Sequence, residues 1–178
     1  LIPLNLLTDA VLVALAQTPQ LSNLRTLMLS QTYYTVNCSA ASLRELLHSP
    51  YLRQLETLSL NRIRFTPAHA QALFESPNLG RLTSLNLDGC SLGPAELEQL
   101  GDAANLSSLR VLSLNQNTLG DAGTRLLAEA RGLHSLQRLS LNRNLIGNAG
   151  LVAFAEAGPW SQLETLHRAD YLDFLRDA

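Results

Sequence analysis

The chain has 178 residues, 46% of them hydrophobic, 16% charged and 5% aromatic, with a formal net charge of −2. This composition is apolar enough to build a core and argues against disorder. Acidic and basic residues alternate without forming a basic face, which speaks against nucleic acid, and no apolar run reaches the roughly 18 residues of a membrane span. Leucine fills nearly a quarter of all positions, and every basic residue is arginine. Such a bias points to one structural slot filled repeatedly.

In chain order, Leu7-Thr8-Asp9-Ala10 aligns with Leu119-Gly120-Asp121-Ala122. The chain therefore joins mid-repeat, with Ile2 in a strand and Asn5 in the slot that follows it. Together with the leading Leu1, this reads as a fragment of a longer protein. Leu24-Arg-Thr-Leu27-Met-Leu29 opens the next unit, and Leu55-Glu-Thr-Leu58-Ser-Leu60 follows 31 residues later. The surplus over the later spacing falls in Thr32–Cys38. Leu82, Leu109 and Leu136 then begin three full phrases, each 27 residues after the last. All read L-x-x-L-x-L-x-x-(N/C)-x-(L/I), with Cys90, Asn117 and Asn144 in the polar slot.

The alternating leucines predict short strands with leucine inward and the intervening residues outward. The polar slot predicts a side chain turned inward to bond backbone that a tight turn leaves unpaired. The second half of each unit predicts a helix. Ser39, Thr66 and Asp121 are the expected N-caps, Pro67 and Pro94 suit the first turn, and Pro50, Pro77 and Pro159 follow the helix ends. Leu46/Leu47, Leu73/Phe74 and Leu126/Leu127 supply the buried helical faces. At Leu163-Glu-Thr-Leu166 the phrase begins on time, but Arg168 takes a leucine position and Tyr171 the polar slot. A charge there predicts that the stack ends in a cap over 163–178. The other reading is a longer array continuing past the last residue.

These phrases resemble the ribonuclease-inhibitor-like class of leucine-rich repeats, with the spacing closest to bacterial members. The resemblance covers nearly the whole chain, so residues 1–178 are expected to form a single domain of about five clear repeats with partial ends. It implies an α/β fold: a right-handed βα solenoid with a parallel sheet on the concave side and helices on the convex side. It also implies protein binding through the concave face or adjacent loops, and it specifies no partner.

The outward positions give the candidate binding residues: Met28, Asn61, Arg62, Asn86, Asp88, Asn115, Gln116, Arg138, Asn142 and Arg143. Two readings stand for this face, a polar recognition groove rimmed by arginines or an ordinary solvated sheet. Six strands about 4.8 Å apart expose only about 350–400 Å² of flat face, against about 800 Å² per partner in a standard interface. Loops would have to contribute. Tyr33 and Tyr34 in the lengthened first unit are the loop candidates, with packing against the core edge as the competing reading.

Catalytic chemistry finds no foothold. His48, His69, His134 and His167 fall at different phases of the repeat, without metal-ligand spacing. Cys90 sits in a structural slot, Cys38 reads as a small buried residue, and Asp88 with Asn86 and Asn115 lacks a base or nucleophile. The expectation is a cytoplasmic protein-binding scaffold, not an enzyme and without cofactor. The competing functional class is a substrate-recruiting or regulatory domain of a larger enzyme, with a GTPase-activating role a more distant reading.

Overall fold

A computed structural model describes residues 7–30, 38–157 and 160–168. Among them, six strands alternate with six helices. The strands are β1 (Thr26–Met28), β2 (Thr57–Ser59), β3 (Ser84–Asn86), β4 (Val111–Ser113), β5 (Arg138–Ser140) and β6 (Thr165–His167). They form one sheet in sequence order, every pair parallel. The helices are α1 (Asp9–Ala16), α2 (Ala40–Leu47), α3 (Pro67–Phe74), α4 (Pro94–Leu97), α5 (Gly120–Glu129) and α6 (Asn148–Ala157). The chain is thus α/β, and its repeating strand–helix order is consistent with a βα solenoid.

Register follows the spacing. Leu58, Leu85, Leu112 and Leu139 are successive cross-strand partners 27 residues apart, and Leu27 pairs with Leu58 across the longer first unit. Because strand side chains alternate, one slip of register would turn every leucine outward. The strand leucines share one buried cluster with Leu43, Leu46 and Leu47 of α2 and Leu73 and Phe74 of α3. The helices therefore cover the leucine face and leave the other face outward. In α5, Leu127 is fully buried and Leu126 only partly so.

The polar slot does what its chemistry predicts. The Cys90 thiol donates to the Leu60 carbonyl at 3.1 Å, and Asn117 Nδ2 donates to Leu87 O and Leu114 O at 3.0 and 2.8 Å. Asn144 Nδ2 donates to Leu114 O and Leu141 O at 2.8 and 3.0 Å. Each slot residue thus reaches a carbonyl 30 positions earlier, tying its unit to the previous one. Ile63 fills the same slot with a fully buried apolar side chain instead.

A second polar ladder lies at the helix ends and was not visible in the leucine phrase. Helix C-termini leave carbonyls unpaired, and here the next unit supplies donors. Ser49 Oγ bonds Ala16 O, and Ser76 Oγ bonds Leu47 O at 2.7 Å. Asn78 Nδ2 reaches Leu47 O and Ser49 O, while Asn105 Nδ2 reaches Leu73 O and Ser76 O.

Capping is likewise shared between units. Ser39 caps α2 by accepting from Ser42 N at 3.2 Å, and Asp9 accepts from Ser39 N at 2.6 Å and Ser42 Oγ at 2.7 Å. Thr66 caps α3 with His69: Nδ1 accepts from Thr66 N and its hydroxyl, and Nε2–H donates to Cys38 O at 2.9 Å. Pro67 and Pro94 occupy the first helical turn. Asp121 is not the N-cap expected of it. Leu119 holds that position, and Asp121, inside the first turn of α5, accepts from Gly147 N at 2.7 Å ahead of α6. Asp9 and Asp121 therefore share one role, fixing the start of the following helix rather than their own. Asp121 also packs so close to Gly150 that a Cβ there would lie 2.5 Å from its Oδ1.

Helix length varies more than the regular phrase implies. α4 has only four residues and passes into a 3-10 turn at Glu98–Asp102, whereas α5 and α6 have ten each. At the last described strand, Leu166 is 42% exposed. Arg168, in the place of a buried leucine, is half-buried and its guanidinium donates to Ile146 O. Ile2, Asn5, Pro159 and most of the expected 163–178 cap, including Tyr171, lie outside the described residues. No described helix is long and apolar enough to cross a membrane.

Candidate functional site

The outward face is organised by a third set of cross-strand bonds. Asp88 Oδ1 accepts from Ser113 Oγ and from Asn115 N, both at 2.7 Å. One unit on, Asn115 Oδ1 accepts from Ser140 Oγ at 2.7 Å and Asn142 N at 2.8 Å. Asn115 Nδ2 and Asn142 Nδ2 donate back to the serine of their own strand. Asn86 replaces that serine in β3, and its Oδ1 accepts from Asp88 N at 2.8 Å. Ser59 Oγ donates to Asn61 Oδ1 at 2.9 Å.

The column Asn61, Asp88, Asn115 and Asn142 therefore closes off each strand end, the side chains of the first three by accepting hydrogen bonds and that of Asn142 by donating one. From Asp88 onward it also stitches one unit to the next. Much of its hydrogen-bonding capacity is used within the protein. Asn or Asp suits the position because its side-chain oxygen, one bond further from the backbone than a serine hydroxyl, can accept from backbone and side-chain donors at a strand end.

Immediately after this column the chain turns through the left-handed region. Arg62, Gly89, Gln116 and Arg143 have φ of 60°, 66°, 57° and 59°. Only one of the four is glycine, although a side chain there costs about 1–2 kcal/mol. The turn is held because it aims each amide at the next unit: Arg62 N donates to Asp88 O, Gly89 N to Asn115 O and Gln116 N to Asn142 O, all at 2.8 Å. The same turn throws Arg62, Gln116 and Arg143 into solvent.

The expected binding residues thus separate into two groups. Asn61, Asn86, Asp88, Asn115 and Asn142 are half-buried ladder members, while Met28, Arg62, Gln116, Arg138 and Arg143 are exposed. Met28 is 69% exposed, a large apolar side chain on a mostly polar face that also carries the half-buried Val111. Ser59, expected to face outward, is buried, and so is Gly89. Ser59 turns to Asn61, and the Arg62 chain lies over Gly89, where an added Cβ would sit 3.3 Å from its Cγ. Tyr33 and Tyr34 lie outside the described residues.

Both cysteines are buried free thiols, held protonated by that burial. Desolvation pushes Cys38 up to about 11 and Cys90 to about 12. Neither is a thiolate nucleophile at neutral pH. Asp9 is held below the ordinary carboxylate range chiefly by the Ser39 amide, then by the Ser42 hydroxyl.

One surface was missed by reading outward strand positions alone. A trough of about 570 Å³ runs along the edge where the chain enters the strands, lined by Arg81, Ser107, Arg110, Ser135 and Gln137 among others. The sequence does carry its signal. Glu56, Thr83, Arg110 and Gln137 form one column at 27-residue spacing directly before β2 to β5. Comparison with protein-family models and with curated proteins returns no match for this chain.

Proposed function

We propose that this chain is a leucine-rich-repeat module of the ribonuclease-inhibitor-like class, with its sheet concave and its helices convex, that binds another protein. The observation supporting this most directly is the division of labour on the outward face. Ladder residues spend their polar atoms on one another, while Met28, Arg62 and Arg138 stand exposed above a sheet that the ladder stiffens. Arg and Met are both enriched at protein interfaces, and a prefixed backbone lowers the entropy lost on binding.

The test is affinity capture with wild type and two variants confirmed folded by circular dichroism. Met28→Glu/Arg62→Glu/Arg138→Glu alters the exposed group, and Arg81→Glu/Arg110→Glu alters the strand-entrance edge. A protein retained by wild type and by the edge variant but lost by the face variant supports the reading. Identical capture by all three removes the outward face from it. Asp88 and Asn115 make poor probes, because replacing either also disturbs the ladder.

A further inference from the structure

We propose that the trough along the strand entrances is a second binding site, which takes an extended acidic peptide. The trough is built from the residues just before β2 to β5 and from the turns leading into them. Its volume, about 570 Å³, lies within the range of ligand-binding clefts. From β2 to β6 it follows four strand spacings, about 19 Å at 4.8 Å each, or roughly six residues of extended chain.

The lining decides the ligand class. It contains no aromatic and no large aliphatic side chain, only glycine, hydroxyl, amide and charged residues. Nucleobases and lipid chains are thereby disfavoured, since both rely on stacking or apolar area. Two cations, Arg81 and Arg110, stand over the middle, both exposed. The acid that lines the trough, Glu56, is already ion-paired with Arg25. With Glu164 exposed at the entrance to β6, this edge carries Arg25, Arg81 and Arg110 against Glu56 and Glu164, a net positive charge on a chain whose net charge is −2. Guanidinium groups bind carboxylates in forked pairs, so two of them at different points along a trough select a chain bearing spaced carboxylates.

Backbone recognition is closed off at this edge. Thr83 N and Ser84 N both donate to Glu56 O, Arg110 N and Val111 N to Thr83 O, and Gln137 N and Arg138 N to Arg110 O. The hydroxyls of Thr83 and Ser108 are also committed, to Glu56 O and Gly80 O. Among the described residues, the side chains of Arg81, Arg110, Ser107, Ser135 and Gln137 make no hydrogen bond or ion pair. They are the groups left to meet a ligand, with the arginines for its carboxylates and the serines and glutamine for its peptide groups. This edge is distinct from Met28 and from the strand-exit residues Arg62 and Arg143, and its occupancy does not depend on whether the outward face binds.

The test uses the intact chain and two fluorescein-labelled octapeptides, one alternating Glu and Ser and the other alternating Gln and Ser. Fluorescence anisotropy should show saturable binding of the acidic peptide that weakens as salt rises, with the neutral peptide at least tenfold weaker. Arg81→Ala/Arg110→Ala should weaken the acidic peptide at least tenfold, since hydrogen bonds to charged groups are the strong ones. Arg62→Ala/Arg143→Ala, at the strand exits, should change it less than twofold. Both pairs are exposed, so equal melting temperatures will show that folding is intact. Amide chemical shifts should move at Ser107, Ser135 and Gln137. Equal affinity for the two peptides, no binding at millimolar peptide, or loss through the Arg62/Arg143 pair instead would each overturn the proposal.

Discussion

The two ends of the strands are built on opposite plans. At the exits, a column of Asn and Asp side chains and a column of left-handed turns bond each unit to the next. At the entrances backbone bonds join the units with help from Thr83, Ser108 and the Arg25–Glu56 ion pair, but several other side chains are left uncommitted. Polar residues that recur at fixed spacing can therefore serve the scaffold at one edge and remain available at the other. Periodicity by itself does not tell these roles apart; the hydrogen-bond partners do.

The contrast can be broken most severely in the core beneath the exits. Leu114→Ala should cost about 2–5 kcal/mol in denaturant unfolding, as buried leucine truncations do. Asn117→Ala should fall in the same range, at about 3 kcal/mol. It removes donors to Leu87 O and Leu114 O and the acceptor for Leu92 N, all in buried surroundings where an unmade bond costs about 1–3 kcal/mol. A melt indistinguishable from wild type for Asn117→Ala would show that the polar slot does not tie the units.

A smaller effect is expected at the surface of the same edge. Asp88→Ala should cost about 1 kcal/mol, since it frees Ser113 Oγ and Asn115 N in a half-exposed setting. Ser113→Ala, which loses one of those bonds, should cost less. Asp9 sharpens the comparison through pH. Its folded pKa is depressed, so its contribution is fully present above the unfolded value of about 3.9 and is lost as pH falls through the folded value. Melting temperatures of wild type and Asp9→Asn should differ at pH 7 and converge in acid; a constant gap would rule out the carboxylate as the cause. Last, Arg81→Ala/Arg110→Ala at the entrances should leave stability within about 0.5 kcal/mol of wild type. A larger loss would make those arginines part of the scaffold.

The leucine phrase made the sheet legible in advance, because burial of alternate residues leaves one register for each pair. Ser39, Thr66, Pro67 and Pro94 were legible as helix starts for the same local reason. Asp121 was misplaced because its partner, Gly147, is 26 residues away, and a cap that crosses between units leaves no local mark. The left-handed column was hidden for a different reason. Gly89 alone announces such a turn, whereas Arg62, Gln116 and Arg143 adopt it under the pull of bonds to the neighbouring unit. On the outward face the sequence gives which residues point out, but not which of them are occupied with each other. His69 was likewise set aside as one of four scattered histidines, yet it joins the start of α3 to the Cys38 carbonyl.

The constant offset of the inter-unit bonds carries a consequence for how such a chain can change. From Asp88 to Asn115 and from Asn115 to Asn142, a donor in one unit always meets an acceptor 27 positions away. A duplicated stretch of that length inserted between them would present both halves of the bond pattern to its new neighbours, with the leucine stack unbroken on either side. A stretch of another length has to take up the difference outside its strand, as the 31-residue first unit does while keeping Leu27 paired with Leu58. The architecture therefore gains or loses whole units without changing its cross-section, and variation in the length of a single unit is confined to the segments outside the strands.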